Sequence, residues 1–291
     1  MPDIELHECT TLTEAAALMG RYGPQARILA GGTDLLVDLK SARVCPTHVV
    51  SINGVDGLRG VTANDAGLCI GALTTISELD GSPLLGGPYA AIGDATREMA
   101  SPQIRNLATV GGNIASAVPC ADLPPVLMVL DASVVLWSPS GERRLALDSF
   151  FVSVRRTVAR PDEVLTAVLV PAPPKGFGAA YARFALREGN GIAVAAVAAS
   201  LRLGENGVID DARIVLGAVA PIPKPAAAAA EVLRGRHPDE AVFAQAAESA
   251  MEAAEPISDV RGSAEFRREL VGVLTRRALA LVCRRARVGI A

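Results

Sequence analysis

Short apolar runs alternate with turns that contain glycine or proline over the first half of the chain. The segment TLTEAAALMGRYG has apolar residues at helical spacing, a threonine to cap its start and Gly23 to end it, so it predicts an amphipathic helix. The next segment, ARILAGGTDLLVDLK, predicts a buried strand over 27–30, a turn at Gly31 and Gly32, and a helix from Thr33 onward.

The same alternation continues toward the middle of the chain. HVVSINGV and GLCIGALTTISEL predict strands, the second leading into a helix at 74–77, and YAAIGDATREMA predicts an amphipathic helix. TVGGNIASAVPCADLPP, residues 109–125, is expected to be a long loop. After it, LPPVLMVLDASVVLWSPSGERRLAL predicts a helix, a strand, a turn and a strand. Proline and glycine then cluster at 170–178, which indicates a linker.

The pattern changes after this linker. The segment from YARFALREGN to IVLGAVA alternates as an antiparallel meander does, with a tight turn at Asn206 and Gly207. Residues 238–254 and 263–286 have apolar positions at helical spacing and predict two long helices. The chain is therefore expected to end in a domain of antiparallel strands followed by helices.

Composition narrows the class of protein. Half of the 291 residues are hydrophobic but only 3% are aromatic, which indicates a globular core of small side chains. No uninterrupted apolar run reaches about 18 residues, and the acidic N-terminus lacks the basic and apolar regions of a signal peptide. A net charge of -3 gives no reason to expect nucleic acid as a partner. We expect a cytoplasmic protein that is not integral to a membrane.

Reactive side chains are scattered along the chain. The five cysteines are odd in number and have no C-x-x-C or ferredoxin-like spacing, which suits a reducing compartment. Cys120 is either a redox thiol near a ligand or, as we favour, a small packed side chain. His7, His48 and His237 are isolated in sequence, so no metal site is predicted. The absence of G-x-S-x-G leaves an elbow-type serine hydrolase without support.

Two glycine-rich segments suggest an anion site. AGGTD at 30–34 and TVGGN at 109–113 each combine a glycine pair with a hydroxyl and a hydrogen-bonding side chain. Facing each other, such turns can place bare backbone N–H groups around a pyrophosphate. A helix starting at Thr33 would add its positive end, and we expect the Asp34 side chain to turn away and cap that helix. Neither segment fits the P-loop or Rossmann fingerprints, and ordinary tight turns are the alternative.

The motifs LAGGTDLL, SPQIRNLATVGGNIASAVPCADLPPVLMVLDA and RPDEVLTAVLVPAP resemble the flavin-binding subunit of the molybdenum hydroxylases, which include carbon monoxide dehydrogenase and xanthine dehydrogenase. EPISDVRGSAEFRRELVGVLTRRAL is similar to the family's terminal helical segment. The resemblance implies an α+β fold, in which a two-lobed PCMH-type FAD-binding domain over 1–175 has subdomains of about 1–55 and 56–175. A C-terminal domain over 176–291, of the CO dehydrogenase flavoprotein type, would carry an antiparallel sheet and helices.

The resemblance also implies an FAD site without a catalytic side chain or a metal ligand. Backbone N–H groups of the first segment would bind the diphosphate, and the Thr109 hydroxyl would add a contact. We expect glycine at Gly32 and Gly111 to leave room for phosphate, so that valine there would remove FAD from a folded chain. The implied FAD-binding residues are Ala30, Gly31, Gly32, Thr33, Asp34, Thr109, Gly111, Gly112, Asn113, Asp122, Leu165 and Arg183.

Three of these residues lie outside the glycine segments. The resemblance implies that Asp122 accepts hydrogen bonds from ribityl or ribose hydroxyls; capping a helix that begins at Pro124 is the alternative and is compatible with it. Leu165 falls where an apolar contact to the flavin is usual. Arg183 falls where related chains often have lysine near the flavin ring. Gly191 replaces a residue that is often acidic, which leaves the contacts near the ring open.

The function implied is electron transfer. A large molybdenum-cofactor subunit would hydroxylate the substrate, and a small [2Fe-2S] subunit would pass electrons to FAD in this chain, within a dimer of heterotrimers. The substrate and the final electron acceptor are left open. One alternative is a self-contained FAD-dependent oxidase or reductase of the same fold, and another is a non-catalytic assembly subunit.

Overall fold

The computed structural model describes residues 3–288. No helix within that range combines the length and the apolar character needed to cross a bilayer. The helices are α1 (Leu12–Tyr22), α2 (Leu35–Lys40), α3 (Ile76–Asp80), α4 (Ala90–Glu98), α5 (Pro102–Arg105), α6 (Val110–Ala115), α7 (Leu123–Val129), α8 (Ala227–Leu233), α9 (Glu240–Ala253) and α10 (Ala264–Val288). The strands are β1 (Glu5–Glu8), β2 (Ala26–Leu29), β3 (His48–Ser51), β4 (Val61–Asn64), β5 (Gly67–Gly71), β6 (Ser133–Ser138), β7 (Gly141–Ala146), β8 (Phe151–Ser153), β9 (Arg156–Thr157), β10 (Val164–Pro171), β11 (Phe177–Ala185), β12 (Ala193–Leu203), β13 (Ile209–Gly217) and β14 (Lys224–Pro225).

A small parallel sheet of order β1-β3-β2 begins the fold. Helix α1 packs against β2 and β3, and its buried residues Ala15 and Met19 join the core beneath the sheet. A capping box starts this helix: the Thr11 hydroxyl accepts from the Glu14 N–H, and the Glu14 carboxylate accepts from the Thr11 N–H. Gly23 ends it with a φ of 50°. The predicted first helix is confirmed.

A five-stranded antiparallel sheet of order β4-β5-β10-β6-β7 follows. Its core combines strand residues such as Ile70 and Val168 with Ile76 of α3, Ile92 of α4 and Leu127 of α7. All five side chains are buried, so the helices cover one face of this sheet. Strands β8 and β9 pair as a separate, short antiparallel hairpin.

The C-terminal part is a four-stranded antiparallel sheet of order β11-β12-β13-β14, covered by α8, α9 and α10. Strand β12 is buried on both faces, and successive residues point to opposite sides. Ala195 and Val197 belong to the core shared with the C-terminal helices, whereas Ala196 and Ala198 belong to the core of the preceding domain. The predicted antiparallel meander and the two long helices are confirmed, and so is the α+β class.

Polar contacts add to this shared core. The Arg285 guanidinium of α10 donates two hydrogen bonds to Asp94 of α4, at 2.6 Å and 2.9 Å. The Ser200 hydroxyl donates to the Val129 carbonyl at 3.0 Å. Because these contacts join β12 and α10 to helices of the preceding domain, the two domains share a packed and hydrogen-bonded interface.

One prediction of local structure is confirmed with a shifted start, and another is wrong. Helix α2 begins at Leu35, two residues later than expected, and has only six residues. The expected loop over 109–125 contains α6. Thr109 is the N-cap of this helix, and its hydroxyl accepts a hydrogen bond from the Gly112 N–H at 3.1 Å. The glycine pair lowers the helix propensity of this segment, and the N-cap together with tertiary contacts overrides it.

Gly178 provides a test of the packing between β11 and α10. A Cβ there would lie 2.6 Å from both the Ala286 nitrogen and the Val282 oxygen, which are main-chain atoms. We expect Gly178→Ala to lower the free energy of unfolding by about 1–3 kcal/mol because strand and helix must move apart. Gly20, exposed within α1 and with no atom within 4 Å of its Cβ position, is the control.

Gly20→Ala should raise the free energy of unfolding by up to about 1 kcal/mol because alanine favours the helix. Urea unfolding followed by circular dichroism measures both variants. Equal stability of Gly178→Ala and the unsubstituted chain would contradict the assigned packing.

Candidate functional site

A cleft of about 760 Å³ lies between the parallel sheet and the five-stranded sheet. This volume is within the range of small-molecule and cofactor sites. Both glycine-rich segments line the cleft, as the anion-site hypothesis requires. The predicted site residues that line it are Ala30, Gly31, Gly32, Thr33, Asp34, Thr109, Gly111, Gly112, Asn113 and Leu165. Asp122 and Arg183 do not line it.

The first glycine segment presents free main-chain donors. It follows β2, turns at Gly32 with a φ of 73°, and is held by Asn53, whose side-chain amide donates to the Ala30 carbonyl at 3.0 Å. The N–H groups of Gly31, Gly32, Thr33 and Asp34 make no hydrogen bond to any residue within 3–288. Gly31, Gly32 and Thr33 are half-buried and Asp34 is exposed, so these donors are open to water or to an anion in the cleft.

The neighbourhood of Asp34 differs from the expectation. Asp34 occupies the N-cap position of α2, but its side chain is exposed and makes no capping hydrogen bond. The expected cap is therefore wrong. With only six residues, α2 also adds little dipole to an anion site. The attraction for an anion at this wall comes from the free N–H groups themselves.

The second glycine segment uses its main chain internally. The Gly111 N–H donates to the Ala72 carbonyl at 2.8 Å, and the Gly112 N–H donates to the Thr109 hydroxyl oxygen at 3.1 Å. The expectation of bare backbone donors on both sides is therefore wrong for this side. This segment contributes side chains to the wall of the cleft instead. The Thr109 hydroxyl can still donate its proton, and Asn113 also lines the cleft.

Asn113 carries an unsatisfied group. Its Oδ1 atom is buried and accepts no hydrogen bond from the described residues. A buried acceptor without a donor costs about 1–3 kcal/mol. Because this oxygen is buried, a ligand hydroxyl or N–H would satisfy it only if the Asn113 side chain turned toward the cleft.

The glycines build the walls of the cleft. A Cβ at Gly31 would lie 1.8 Å from the Leu107 carbonyl oxygen, and one at Gly111 would lie 2.7 Å from the Ala72 Cβ. Gly32 is required by its positive φ. These glycines therefore have a structural reason that does not involve phosphate, and the expected loss of FAD in the valine variants stays a prediction. Valine at Gly32 or Gly111 would disturb the cleft itself.

Charged side chains make the cleft positive. Five arginines and three carboxylates line it. The buried Asp38 accepts a hydrogen bond from Arg43 at 2.5 Å and another from Arg155, which neutralises much of that group. The guanidinium groups of Arg156 and Arg160 form no ion pair with any residue in 3–288 and remain available to an anion.

Asp122 and Arg183 form a buried polar cluster at the boundary with the C-terminal sheet. The Asp122 carboxylate accepts from the Tyr181 hydroxyl at 2.6 Å and from Arg183 Nη1 at 3.0 Å and 3.2 Å. Burial raises the pKa of the Asp122 carboxyl, and the Arg183 charge opposes that rise. Helix α7 begins at Leu123, and Asp122 makes no capping hydrogen bond, so its alternative role as an N-cap is wrong. Arg183 lines a separate cavity of about 280 Å³.

Cys120 lies between these two regions. Burial raises the pKa of its thiol, and the carboxylates of Asp122 and Asp34 raise it further, with Arg261 opposing them. A raised pKa keeps the sulfur protonated and poorly nucleophilic. The electrostatics therefore support the interpretation of Cys120 as a packed side chain over that of a redox thiol.

Sequence reasoning missed the basic residues of the cleft. Arg155, Arg156 and Arg160 come from the segment VRRTVARP, which contains the β8–β9 turn. The sequence feature that could have revealed them is the group of three arginines just before the strand in RPDEVLTAVLVPAP. Asp38 was missed because a carboxylate within a predicted helix has no distinguishing pattern.

Comparison with protein families gives two matches that cover most of the chain. The model described as "FAD binding domain in molybdopterin dehydrogenase" matches residues 2–173. The model described as "CO dehydrogenase flavoprotein C-terminal domain" matches residues 179–282.

Similar proteins agree with these matches. The carbon monoxide dehydrogenase medium chain of Hydrogenophaga pseudoflava is 33% identical over 278 residues, covering 96% of each chain. The xanthine dehydrogenase FAD-binding subunit of Escherichia coli O157:H7 is 32% identical over 275 residues, covering 94% of each. A solved structure of the Hydrogenophaga carbon monoxide dehydrogenase that lacks the Mo-pyranopterin moiety superposes with a TM-score of 0.94 at 33% identity, covering 98% of each chain. The chain therefore belongs to the family of FAD-binding medium subunits of the molybdenum hydroxylases, as an oxidoreductase subunit.

Proposed function

We propose that the cleft between the two N-terminal sheets holds FAD, with its diphosphate at the first glycine segment. The observation that carries this proposal is the set of four unpartnered main-chain N–H groups from Gly31 to Asp34, opposite the Thr109 hydroxyl. A diphosphate offers several acceptor oxygens and about two negative charges, which these donors and the nearby arginines suit.

Other groups of the cleft fit the rest of the cofactor. Asn113 lines the cleft, and a turn of its side chain would let a ribityl or ribose hydroxyl of FAD donate to its unsatisfied Oδ1. Leu165 is buried at the start of β10 and offers an apolar surface to a ring. These residues bind and orient the cofactor and keep water from it.

The roles proposed for Asp122 and Arg183 need the cofactor to extend beyond the cleft, toward the C-terminal sheet. Arg183 Nε makes no hydrogen bond to the described residues, although the Glu98 carboxylate lies 3.7 Å from it, and Arg183 lines the separate cavity of about 280 Å³ into which a cofactor would have to extend. The Asp122 carboxylate is already shared by Tyr181 and Arg183, so it would interact with a ligand only as part of that cluster. We keep both assignments as predictions.

We further propose that the chain relays electrons within a molybdenum hydroxylase complex. Its relatives are named as medium chains or FAD-binding subunits, and the alignments span nearly the whole of each chain. When bound, FAD supplies redox chemistry that takes electrons singly and releases them as a pair. The partners would be a large molybdenum-cofactor subunit and a small [2Fe-2S] subunit, in a dimer of heterotrimers. A cytoplasmic location stays a prediction.

Thr109 tests the placement of the diphosphate. Thr109→Val removes the hydroxyl of a residue that lines the cleft, and we expect the dissociation constant for FAD to rise about fivefold, which corresponds to about 1 kcal/mol. Thr109→Ser keeps the hydroxyl and should bind FAD as the unsubstituted chain does. Fluorescence titration of the flavin-free chain measures the dissociation constants.

The loss of the Thr109 cap also destabilises α6, so the titration is made where circular dichroism shows all variants folded. Thr62→Val, at an exposed position on β4 outside the cleft, is the matched control and should change nothing. FAD binding by Thr109→Val at the strength of the control would contradict the placement.

Arg156 tests the charge of the cleft. Arg156→Gln removes a guanidinium that has no ion-pair partner within 3–288, and we expect FAD affinity to fall about threefold to fivefold at low salt. The difference should shrink as salt is added because an exposed charge is screened. Arg202→Gln, which removes an exposed arginine of β12, is the control. A loss as large in the control would show that the effect is one of overall charge.

Reconstitution tests the electron-transfer role. The chain is co-expressed with a candidate large molybdenum-cofactor subunit and a candidate small [2Fe-2S] subunit, and we expect a stable complex in which substrate reduces the flavin only when both partners are present. The visible absorption of oxidised flavin follows the reaction. Steady turnover by the isolated chain would indicate a self-contained oxidase or reductase instead. A stable complex whose medium chain contains no flavin would indicate an assembly subunit.

A further inference from the structure

His7 and His48 are not isolated, contrary to the expectation from the sequence. Parallel pairing of β1 with β3 aligns Glu5 with His48, and His7 lies on the same face of β1 as Glu5. His7 Nε2 is 3.1 Å from His48 Nδ1, although the residues are 41 positions apart. The sheet therefore brings two imidazoles and one carboxylate together.

The donor atoms of this cluster have the spacing of metal ligands. His48 Nδ1 is 3.4 Å from one Glu5 carboxylate oxygen, and His7 Nε2 is 3.8 Å from the other. Two imidazole nitrogens bound to one tetrahedral Zn²⁺ at about 2.05 Å are about 3.3 Å apart, close to the spacing seen here. Without a metal, the same pair can satisfy only one nitrogen of each ring through a single N–H···N hydrogen bond.

The two rings are held in place, and the carboxylate is accessible. Tyr22, at the end of α1, stacks on His48 with ring centroids 3.6 Å apart. The His7 and His48 side chains are 16% and 15% exposed, whereas Glu5 is 63% exposed. The site is therefore preorganised on its buried side and open to solvent on the other, where an ion can enter with a water as its fourth ligand.

We propose that Glu5, His7 and His48 form a binding site for one divalent transition-metal ion of the Zn²⁺ type. Two imidazoles and a carboxylate favour such ions over Mg²⁺ or Ca²⁺, which prefer oxygen ligands alone. None of the three residues lines the cleft assigned to FAD. The ion would join the N-terminal strand β1 to the central strand β3, so the site is separate from the cofactor and independent of the proposed function.

The test uses the full-length chain without an affinity tag, freed of metal with a chelator. Zn²⁺ is titrated in competition with a chromophoric chelator, and Co²⁺ is added separately for its visible spectrum. We expect one equivalent of each ion to bind, with no thiolate-to-cobalt band because the ligands are nitrogen and oxygen. His7→Asn and His48→Asn should each weaken Zn²⁺ binding at least about tenfold.

His237→Asn is the matched control because it removes an exposed histidine far from this cluster in sequence, and it should bind Zn²⁺ as the unsubstituted chain does. Unchanged binding in both His7→Asn and His48→Asn would overturn the proposal, as would the absence of binding to the folded, unsubstituted chain. If the histidine variants fail to fold, Glu5→Gln decides, because its side chain is largely exposed. Weaker binding there supports the site, and unchanged binding overturns it. FAD titration of the same variants separates this result from that of the proposed function.

Discussion

The cleft depends on the close approach of the Gly31 main chain to the Leu107 carbonyl. A Cβ at Gly31 would lie 1.8 Å from that oxygen, so the first glycine segment reaches the opposite wall only because it has no side chain there. A second contact spans the same cleft, where the buried Asp38 of α2 accepts a hydrogen bond from Arg155 in the turn between β8 and β9. The two walls are thus fixed by contacts that leave the donor groups of Gly32 and Thr33 uncovered.

The two glycine segments differ in which of their main-chain N–H groups are already hydrogen-bonded within the protein. The second segment completes its own main-chain hydrogen bonds, with Gly111 donating to Ala72 and Gly112 to Thr109, and so forms a rigid wall. The first segment leaves its N–H groups free and is instead held through the Ala30 carbonyl by Asn53. A preformed array of donors costs little reorganisation when an anion binds. Sequence similarity between the two segments therefore conceals different physical roles.

Local patterns predicted the elements that depend on neighbours in sequence. The capping box at Thr11, the run of small apolar residues in β12 and the spacing in α10 are all visible in the printed chain. Helix α6 was not predictable, because its stability comes from a cap and from tertiary contacts that outweigh two glycines. The site shows the same division: the glycine segments were found by motif, whereas the pairing of Asp122 with Arg183 joins residues 61 positions apart.

Strand β3 has one of the two proposed sites near each of its ends. Asn53, which holds the first glycine segment, follows two residues after the last residue of β3, Ser51. The first residue of β3, His48, lies beside Glu5 and His7. Four residues of extended chain span only about 10–13 Å, so the two regions are near each other yet point in opposite directions. Parallel pairing is the reason, since it aligns all strand starts at one edge and all strand ends at the other. An ion at the strand starts would restrain β1 and β3 without touching the loops at the strand ends, so the proposed metal site and the proposed cofactor site would respond to different substitutions.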